Sequence, residues 1–374
     1  MDRKVFEMRI LVDGMPRTKG GIGSLILNIA EYARNYCKND DLTFDFIIAG
    51  RSGYLPFLEE NGYRYYMAPP VSEVKKYQQF LRSLFAGSKY DFLWFNNTSK
   101  VNLMLPTYAK KQGVKLITHP HGVDMEEKGM KRIVFKALDR LNEGKMFSLI
   151  DVPFACSEEA ADVYYRGSAS LREKTVIIRN GIHTDAFSFD PVRRKKVRDE
   201  LGVKDGEILL GAVGRLTAVK NYPFLIELLR RLDEKYKMII LGEGEDKTLL
   251  EELIRENGLS DRCFLLGSKE NVRDYLSAMD VFLMPSLNEG MPYSIIEAQS
   301  AGLPCVVSDT LSPNMKITDL VAFVSLDDPQ AWITSIVEGS RSADRKQYKE
   351  KVIASGYGIE QTYSAFKRAI GVED

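Results

Sequence analysis

The sequence has few of the residues that metal centres and disulfide frameworks use. Its 374 residues include only 4 cysteines and 3 histidines. The cysteines lie far apart and form no C-x-x-C pair, at Cys37, Cys156, Cys263 and Cys305. This spacing excludes a zinc ribbon and argues against a disulfide framework, so we expect reduced, packed thiols.

Long hydrophobic runs and an excess of one charge are also lacking. No run of about 18 apolar residues occurs, and the charged N-terminal segment has no apolar signal-peptide region, which predicts a cytoplasmic protein. Lys+Arg and Asp+Glu are equal at 52 each, so no nucleic-acid partner is expected. The basic run at 193–196 is interpreted as a solvated helix face, because acidic residues follow it at 199–200.

What the sequence does contain is a regular alternation of short β-rich runs and longer helical patterns. This alternation is typical of parallel βαβ units, and the length of 374 residues favours two domains. We therefore predict two Rossmann-like, doubly wound α/β domains that face each other across a cleft. The predicted segments are an N-terminal domain at 1–180, a hinge or linker at 181–206, a second domain at 207–355 and a C-terminal helix at 356–374.

Ligands in open α/β sheets bind beyond the carboxyl ends of the strands, so the loops at those ends are the candidate sites. The strand predicted at 208–213 is followed by Gly214, Arg215 and Lys220, and a helix then begins near Pro223. Cations beside a helix N-terminus, where the dipole favours anions, indicate that a diphosphate binds among them. Two solvated loop cations are the alternative.

A second loop, after the strand predicted at 281–284, places two glutamates eight residues apart. Glu289 lies in the loop, and Glu297 lies one to two turns into the following helix. The backbone amides of Gly290 and Met291 lie between them, ahead of Pro292 near the helix start. The carboxylates suit sugar hydroxyls and the amides suit a phosphate. An oxygen-only metal site is the competing use, but it would need more ligands close by.

These motifs together resemble the donor domain of retaining glycosyltransferases of family 4, which have the GT-B fold. The resemblance rests on G-R-L-T-A-V-K-N at 214–221, L-G-E-G-E at 241–245 and E-G-M-P-Y-S-I-I-E-A-Q-S-A-G-L-P at 289–304. It implies that Arg215 and Lys220 neutralise the donor diphosphate. It further implies that Glu289 contacts the transferred sugar, that Glu297 binds the ribose hydroxyls and that the base lies near Lys269. In the resembling family, the C-terminal helix crosses back to the first domain.

The first half offers two glycines at the start of a predicted helix. Gly21 and Gly23 follow the strand predicted at 10–13, and a backbone without Cβ atoms can approach a ligand closely. The pattern is not the dinucleotide-binding G-x-G-x-x-G, which disfavours a dehydrogenase. The resemblance implies that this loop reaches the donor phosphate and sugar.

Two of the three histidines, His119 and His121, follow the strand predicted at 115–119. Structural histidines and a three-histidine zinc site are alternatives, although the spacing fits common zinc sites poorly. The resemblance favours His121, followed by Gly122, as the sugar-site residue, with His119 as the alternative. It also assigns Asn180 to the Asn-Gly pair that ends the first domain, for which a turn with positive φ is the alternative.

The predicted activity is transfer of a sugar from a nucleoside-diphosphate sugar, with UDP favoured, to a carbohydrate or lipid-linked acceptor with retention. No D-x-D motif occurs, so neither a metal nor another cofactor is expected. Synthesis of a surface polysaccharide or glycoconjugate is the expected setting. The alternatives are a sugar-nucleotide epimerase of the same fold and a non-catalytic partner subunit of a transferase.

The segment at 128–140 is basic and amphipathic. An ordinary surface helix is one interpretation. A helix that rests on an anionic membrane near a lipid-linked acceptor is the other, which would place the protein at the inner face of the cell membrane.

Overall fold

The chain divides into two α/β units, Met1–Gly181 with Ile359–Asp374, and Ile182–Gly358. The computed structural model describes residues 8–18, 20–37, 42–97, 99–121, 129–341 and 344–372, with the side chains of 129–132 excepted. Within these ranges no helix combines the length and hydropathy that a bilayer span requires.

The first unit is built on a parallel sheet in the order β3-β2-β1-β4-β5-β6-β7. The residues of β1 from Ile10 to Val12 are fully buried, as expected for a strand covered by helices on both faces. The strands are β1 (Met8–Asp13), β2 (Leu42–Ala49), β3 (Tyr65–Ala68), β4 (Phe92–Phe95), β5 (Lys115–Thr118), β6 (Ile150–Ala155) and β7 (Val176–Ile177). The helices are α1 (Gly21–Tyr36), α2 (Leu55–Glu60), α3 (Val74–Gly87), α4 (Met104–Lys111), α5 (Gly129–Leu149), α6 (Glu158–Tyr164) and α7 (Ala169–Lys174).

The second unit is built on a parallel sheet in the order β10-β9-β8-β11-β12-β13. Its strands are β8 (Ile208–Val213), β9 (Tyr236–Leu241), β10 (Cys263–Gly267), β11 (Val281–Met284), β12 (Cys305–Ser308) and β13 (Val321–Val324). Its helices are α8 (Pro191–Glu200), α9 (Tyr222–Arg231), α10 (Lys247–Glu256), α11 (Val272–Ala278), α12 (Tyr293–Ser300), α13 (Pro329–Gly339) and α14 (Tyr348–Ala354). Two parallel-sheet α/β units confirm the predicted fold class.

The segment at 181–206, which the sequence presented as a hinge, belongs to the second unit from Ile182 onward. It contains α8, and two arginines of this helix anchor it to Asp280 at the start of β11. Arg194 and Arg198 donate to the Asp280 carboxylate at 2.6 and 3.0 Å. The helix therefore packs into the unit instead of linking two domains, and only part of its basic run faces solvent.

The last helix, α15 (Ile359–Ala369), belongs to the first unit and packs on α1. Phe366 is fully buried, and its ring centroid lies 4.8 Å from that of Trp94 and 5.6 Å from that of Phe154. The amphipathic pattern of the helix supplies this apolar face.

The same helix explains the glycine of the Asn180-Gly181 pair. A Cβ atom on Gly181 would lie 2.3 Å from the hydroxyl oxygen of Thr362 on α15. Neither Asn180 nor Gly181 has a positive φ, so the alternative of a left-handed turn is wrong. Glycine is needed at 181 for space, since the helix occupies the position of a side chain.

Replacing Phe366 with alanine should lower the free energy of unfolding of the first unit by about 3 to 5 kcal/mol, because it leaves a cavity among buried aromatic rings. Urea unfolding of the full chain, followed by tryptophan fluorescence, measures this loss, since Trp94 contacts the ring. Gln361→Ala on the exposed side of α15 is the matched control and should change the value by less than about 0.5 kcal/mol. Equal effects of the two variants would contradict this account of the packing.

Candidate functional site

Two loops at the carboxyl edge of the second sheet dock on each other through their backbones. The amide of Leu287 donates to the carbonyl of Val219 at 2.8 Å, and the side-chain amide of Asn221 donates to the carbonyl of Pro285 at 3.3 Å. Asn221 has the left-handed conformation, with φ of 53°, which turns the chain from the loop into α9. The loop after β8 is thereby fixed against the loop after β11.

This docking brings two of the predicted site residues together. Lys220 Nζ lies 2.6 Å from Glu289 Oε1, and each side chain is 16% exposed. The sequence placed Lys220 and Glu289 on different loops, 69 positions apart, and only the tertiary structure joins them as an ion pair. The pair retains access to solvent, so a ligand can reach both groups.

The glycines of the motifs are explained by crowding between adjacent loops. A Cβ atom on Gly214 would lie 2.8 Å from the hydroxyl oxygen of Tyr222 and 3.0 Å from Cε of Lys220. A Cβ atom on Gly242 would lie 1.9 Å from the carbonyl oxygen of Gly214, and one on Gly244 would be as crowded, at 2.1 Å. These glycines let the loops after β8 and β9 lie in contact, so that Lys220 can extend over the first of them.

Arg215 lies on the same loop after β8 as Lys220 and is exposed. Within the described part of the chain, no hydrogen bond or ion pair joins its side chain to another residue. Arg215 therefore supplies a cation that no carboxylate of the described residues neutralises. In the first turn of α9, Pro223 has no amide hydrogen and the amide of Phe224 donates to the carbonyl of Asn221 at 3.2 Å. Arg215 and the dipole of α9 make this edge suited to an anion.

Glu297 lies on the first turns of α12, largely buried. Burial raises the pKa of its carboxyl group to about 7. No hydrogen bond or ion pair to its side chain occurs among the described residues. A buried carboxyl without a partner suits hydroxyl groups that donate to it, because they would replace the lost water. Gly290, Met291 and Pro292 form the turn that precedes this helix, and Gly290 is exposed.

Lys269 lies after β10, at the edge of the same sheet. Its Nζ atom is 6.0 Å from the ring centroid of Tyr275 on α11. Since β9 separates β10 from β8, and strands in a sheet are about 4.8 Å apart, this loop lies about 10 Å from the loop that carries Lys220. The structure thus places Lys269 at the same sheet edge but outside the Lys220–Glu289 pair.

The first unit has its own polar cluster at the carboxyl ends of β1, β4 and β5, which are adjacent strands. The side-chain amide of Asn97 donates to Asp13 Oδ2 at 2.8 Å, and His121 Nε2 lies 2.8 Å from Asn96 Oδ1. Burial raises the pKa of Asp13 to about 6. Sequence reasoning missed Asp13, Asn96 and Asn97. All three lie at or just after the ends of predicted strands, so a search for polar residues at these positions would have found them.

His119 and His121 differ in their surroundings. His119 is fully buried, accepts a hydrogen bond at Nδ1 from the indole N–H of Trp94 at 3.3 Å, and has no partner at Nε2. Burial and the neighbouring His121 ring hold the pKa of His119 well below its usual range. His121 is partly exposed, and burial lowers its pKa to about 3. Both imidazoles are neutral at pH 7, and His121 is the one that a ligand can reach. Gly122 lies outside the described residues.

The glycine-rich turn before α1 is held by Tyr54. The hydroxyl of Tyr54 donates to the carbonyl of Gly20 and accepts from the amide of Gly20, at 2.9 and 2.6 Å. A Cβ atom on Gly23 would lie 2.2 Å from the same ring, so an internal contact accounts for this glycine. Gly21, the first residue of α1, is exposed and remains the ligand-facing candidate of the two.

The described residues contain no group of three or more His, Cys, Asp or Glu side chains arranged to hold a metal ion. Glu289 is instead paired with a lysine, and His121 with an asparagine.

Two parallel-sheet α/β units, with cations and carboxylates at strand ends, define the GT-B class of fold, and solved structures agree. A crystal structure of Anabaena Alr3699/HepE in complex with UDP and glucose matches 98% of this chain and 100% of its own with a TM-score of 0.78, at 16% identity. Residues 193–348 match the family model for glycosyl transferases group 1. That segment covers Arg215, Lys220, Glu289 and Glu297.

Curated relatives carry the same class of name. The chain is 30% identical over 218 residues to the putative glycosyltransferase EpsF of Bacillus subtilis, which covers 56% of the chain and 57% of the relative. It is 27% identical over 309 residues to an Escherichia coli UDP-Gal:alpha-D-GlcNAc-diphosphoundecaprenol alpha-1,3-galactosyltransferase, 78% of each chain. The chain thus spans little more than half the length of the Bacillus relative. Residues 193–348 are thus similar to glycosyl transferases group 1, and the names of these relatives support the predicted class of enzyme, a glycosyltransferase.

Glu297→Gln should flatten the pH dependence of stability. The folded state keeps the proton on Glu297 up to about pH 7, whereas the unfolded chain loses it near the ordinary pKa of 4.5, so stability falls as the pH rises through this window. The wild-type free energy of unfolding should fall between about pH 5 and 8 by up to about 3 kcal/mol more than that of the variant.

Urea unfolding at the two pH values measures this difference. Asp13 also has a raised pKa, but it is present in both proteins and cancels in the comparison. Glu251→Gln, at an exposed position on α10, is the control and should match the wild type. A pH dependence unchanged by Glu297→Gln would show that this carboxyl group ionises normally in the folded protein.

Proposed function

We propose that this protein transfers a sugar from a nucleoside-diphosphate sugar, most simply a UDP-sugar, to a carbohydrate or lipid-linked acceptor. The transfer proceeds with retention of the anomeric configuration and without a metal ion. The observation that carries the proposal is the assembly of Lys220, Glu289 and Arg215 at one edge of the second sheet, beside the N-terminus of α9.

The charges of this site fit a donor diphosphate. Arg215 has no side-chain partner among the described residues. Lys220 Nζ lies 2.6 Å from Glu289 Oε1, and its ammonium group has three hydrogens, so it can also donate to a phosphate oxygen. An arriving diphosphate gains both cations and the dipole of a helix N-terminus. Glu289, which Lys220 holds in place, is then positioned to accept hydrogen bonds from the hydroxyls of the transferred sugar.

We place the nucleoside of the donor beside the largely buried Glu297 of the same unit. Glu297 accepts the ribose hydroxyls, because its carboxyl group is otherwise without a partner among the described residues. Lys269 lies near the base. The choice of uridine rests on the names of relatives, which include a UDP-Gal transferase and a structural neighbour in complex with UDP.

The acceptor class also rests on relatives. One is named for an acceptor on diphosphoundecaprenol, and another is named as an O-antigen biosynthesis glycosyltransferase. We propose a cytoplasmic protein that acts in synthesis of a surface polysaccharide or glycoconjugate, at the inner face of the cell membrane where its acceptor is lipid-linked. His121, neutral and partly exposed, is proposed as a hydrogen-bonding group for a sugar.

In the reaction, the bond between the anomeric carbon and the diphosphate oxygen breaks, and the electron pair leaves with the diphosphate. A bond forms between the anomeric carbon and the acceptor oxygen, and the proton of the acceptor hydroxyl passes to the departing diphosphate. Arg215, Lys220 and the N-terminal dipole of α9 stabilise the charge that develops on the departing diphosphate, in place of a metal ion. No covalent bond to the protein is part of this proposal.

The alternatives of an epimerase and of a non-catalytic partner are not favoured. The relatives and the matched family model bear transferase names. The site holds charged residues suited to a donor diphosphate, and two of them, Lys220 and Glu289, form an ion pair.

Lys220→Met should weaken binding of UDP by about tenfold to a hundredfold, because one charge-assisted contact to a diphosphate contributes about 1.5 to 3 kcal/mol. Glu289→Ala should retain UDP binding and lose transfer of the sugar. Calorimetric titration with UDP, and thermal shifts with UDP, GDP, ADP, CMP and NAD, measure binding. Lys195→Met, which removes another ion-paired lysine of the same unit, is the control and should bind UDP like the wild type.

A thermal shift with NAD alone would contradict the assignment of the site. No shift with any nucleotide would favour the non-catalytic partner. Normal UDP affinity in Lys220→Met would remove this lysine from the diphosphate site.

EDTA should change neither the UDP-induced thermal shift nor turnover of a UDP-sugar, because protein cations neutralise the diphosphate. The measurement compares release of UDP from a UDP-sugar in the presence of EDTA and after addition of Mn²⁺. Strong inhibition that Mn²⁺ reverses would overturn the metal-independent mechanism.

A further inference from the structure

The outward face of α5 in the first unit carries a stripe of apolar side chains. Ile133, Val134, Leu138 and Leu141 are 65%, 50%, 38% and 79% exposed. With 3.6 residues per turn, these four positions lie on one face of the helix within an arc of about 140°. Nothing among the described residues of this chain covers the stripe, although burying such side chains is favourable.

The acidic residues of the same helix are turned away from this stripe. Asp139 accepts from the backbone amide of Lys100 at 2.7 Å and from the hydroxyl of Ser99 at 3.1 Å. Glu143 pairs with the ammonium group of Lys100 at 2.7 Å. Lys100 is only 5% exposed, so these contacts lie on the packed side of the helix. They remove both carboxylates from the outer face.

The basic residues lie on the outer side. Lys136, Arg140 and Lys145 are exposed, and none has an ion-pair partner among the described residues. By helical geometry, Lys136 and Arg140 lie on one flank of the apolar stripe, and Lys145 lies within its other half. The exposed face from Ile133 to Lys145 thus combines apolar side chains with three cations and no exposed carboxylate.

We propose that this face of α5 binds an anionic lipid surface. A helix lies in the interface plane of a bilayer when its apolar side chains enter the boundary of the acyl chains and its cations meet anionic headgroups. The long side chains of lysine and arginine reach the headgroup level from beside such a stripe. The absence of exposed acid on this face selects an anionic partner over a neutral one.

This inference deepens the proposed function, since it rests on an acceptor that is itself held in a membrane. The binding is peripheral and belongs to the first unit, whereas the proposed nucleotide site belongs to the second unit. Contact with the lipid surface would hold the enzyme in the layer where a lipid-linked acceptor diffuses.

The test is co-sedimentation of the full chain with vesicles of phosphatidylglycerol and phosphatidylcholine in equal parts, compared with phosphatidylcholine alone. The double variant Ile133→Ser/Leu141→Ser should bind the anionic vesicles at least about tenfold more weakly than wild type, because it removes the two most exposed apolar side chains. The matched control is Val192→Ser/Leu249→Ser, which removes exposed apolar side chains from the second unit and should bind like wild type.

The charge contribution has its own pair of variants. Lys136→Gln/Arg140→Gln should weaken binding to the anionic vesicles and reduce its sensitivity to salt, while Lys195→Gln/Lys196→Gln on α8 should have no effect. Thermal shifts with UDP are measured on the same proteins and should be equal in all. Absence of a UDP-induced thermal shift in the wild type would count against the proposed function. It would not change the conclusion from vesicle binding.

Three outcomes would overturn the proposal. They are equal binding to neutral and anionic vesicles, an equal loss of binding in the Val192→Ser/Leu249→Ser control, and self-association of wild type in analytical ultracentrifugation that Leu141→Ser abolishes. The last outcome would assign the stripe to contact between copies of this chain.

Discussion

The backbone contact between the loops after β8 and β11 is the constraint on which the candidate site depends. The hydrogen bond from Leu287 to Val219 fixes the two loops, and the ion pair of Lys220 with Glu289 follows from it. Parallel strands place both loops at one edge, because their carboxyl ends coincide. Gly242 and Gly244 let the loop after β9 lie against the loop after β8, because a Cβ atom at either position would overlap a carbonyl oxygen of that loop. Gly214 leaves room for the side chains of Tyr222 and Lys220.

Both units hold carboxyl groups in surroundings that disfavour their charge. Burial raises the pKa of Glu297 to about 7 and that of Asp13 to about 6. Such groups lower the stability of the folded protein when they ionise. Asp13 accepts a hydrogen bond from Asn97, whereas Glu297 has no side-chain partner among the described residues. A ligand that donates hydrogen bonds to Glu297, as the proposed ribose would, compensates for its lost hydration.

Much of the fold could be predicted from sequence, because parallel strands buried on both faces need apolar runs and their ends need polar loops. The segment at 181–206, predicted as a linker, is grouped with the second unit from Ile182 onward. The polar composition of 181–206 predicts a solvated connector. The contacts of Arg194 and Arg198 with Asp280 join residues more than 80 positions apart, so local composition does not reveal them. Gly23 and Gly181 were similarly interpreted from local pattern, whereas Tyr54 and Thr362, distant in sequence, account for their missing side chains.

The sequence by itself determined the two-unit α/β architecture and the residue types that a diphosphate-binding loop requires, since periodicity and helix-start signals are local properties of the chain. Only the tertiary structure decided that Lys220 meets Glu289, that His121 and not His119 is accessible, and that Asp13, Asn96 and Asn97 form a cluster. It also decided that the acids of α5 face inward and its bases outward. Pairing, burial and the pKa shifts that follow depend on contacts between distant segments, which no local pattern specifies.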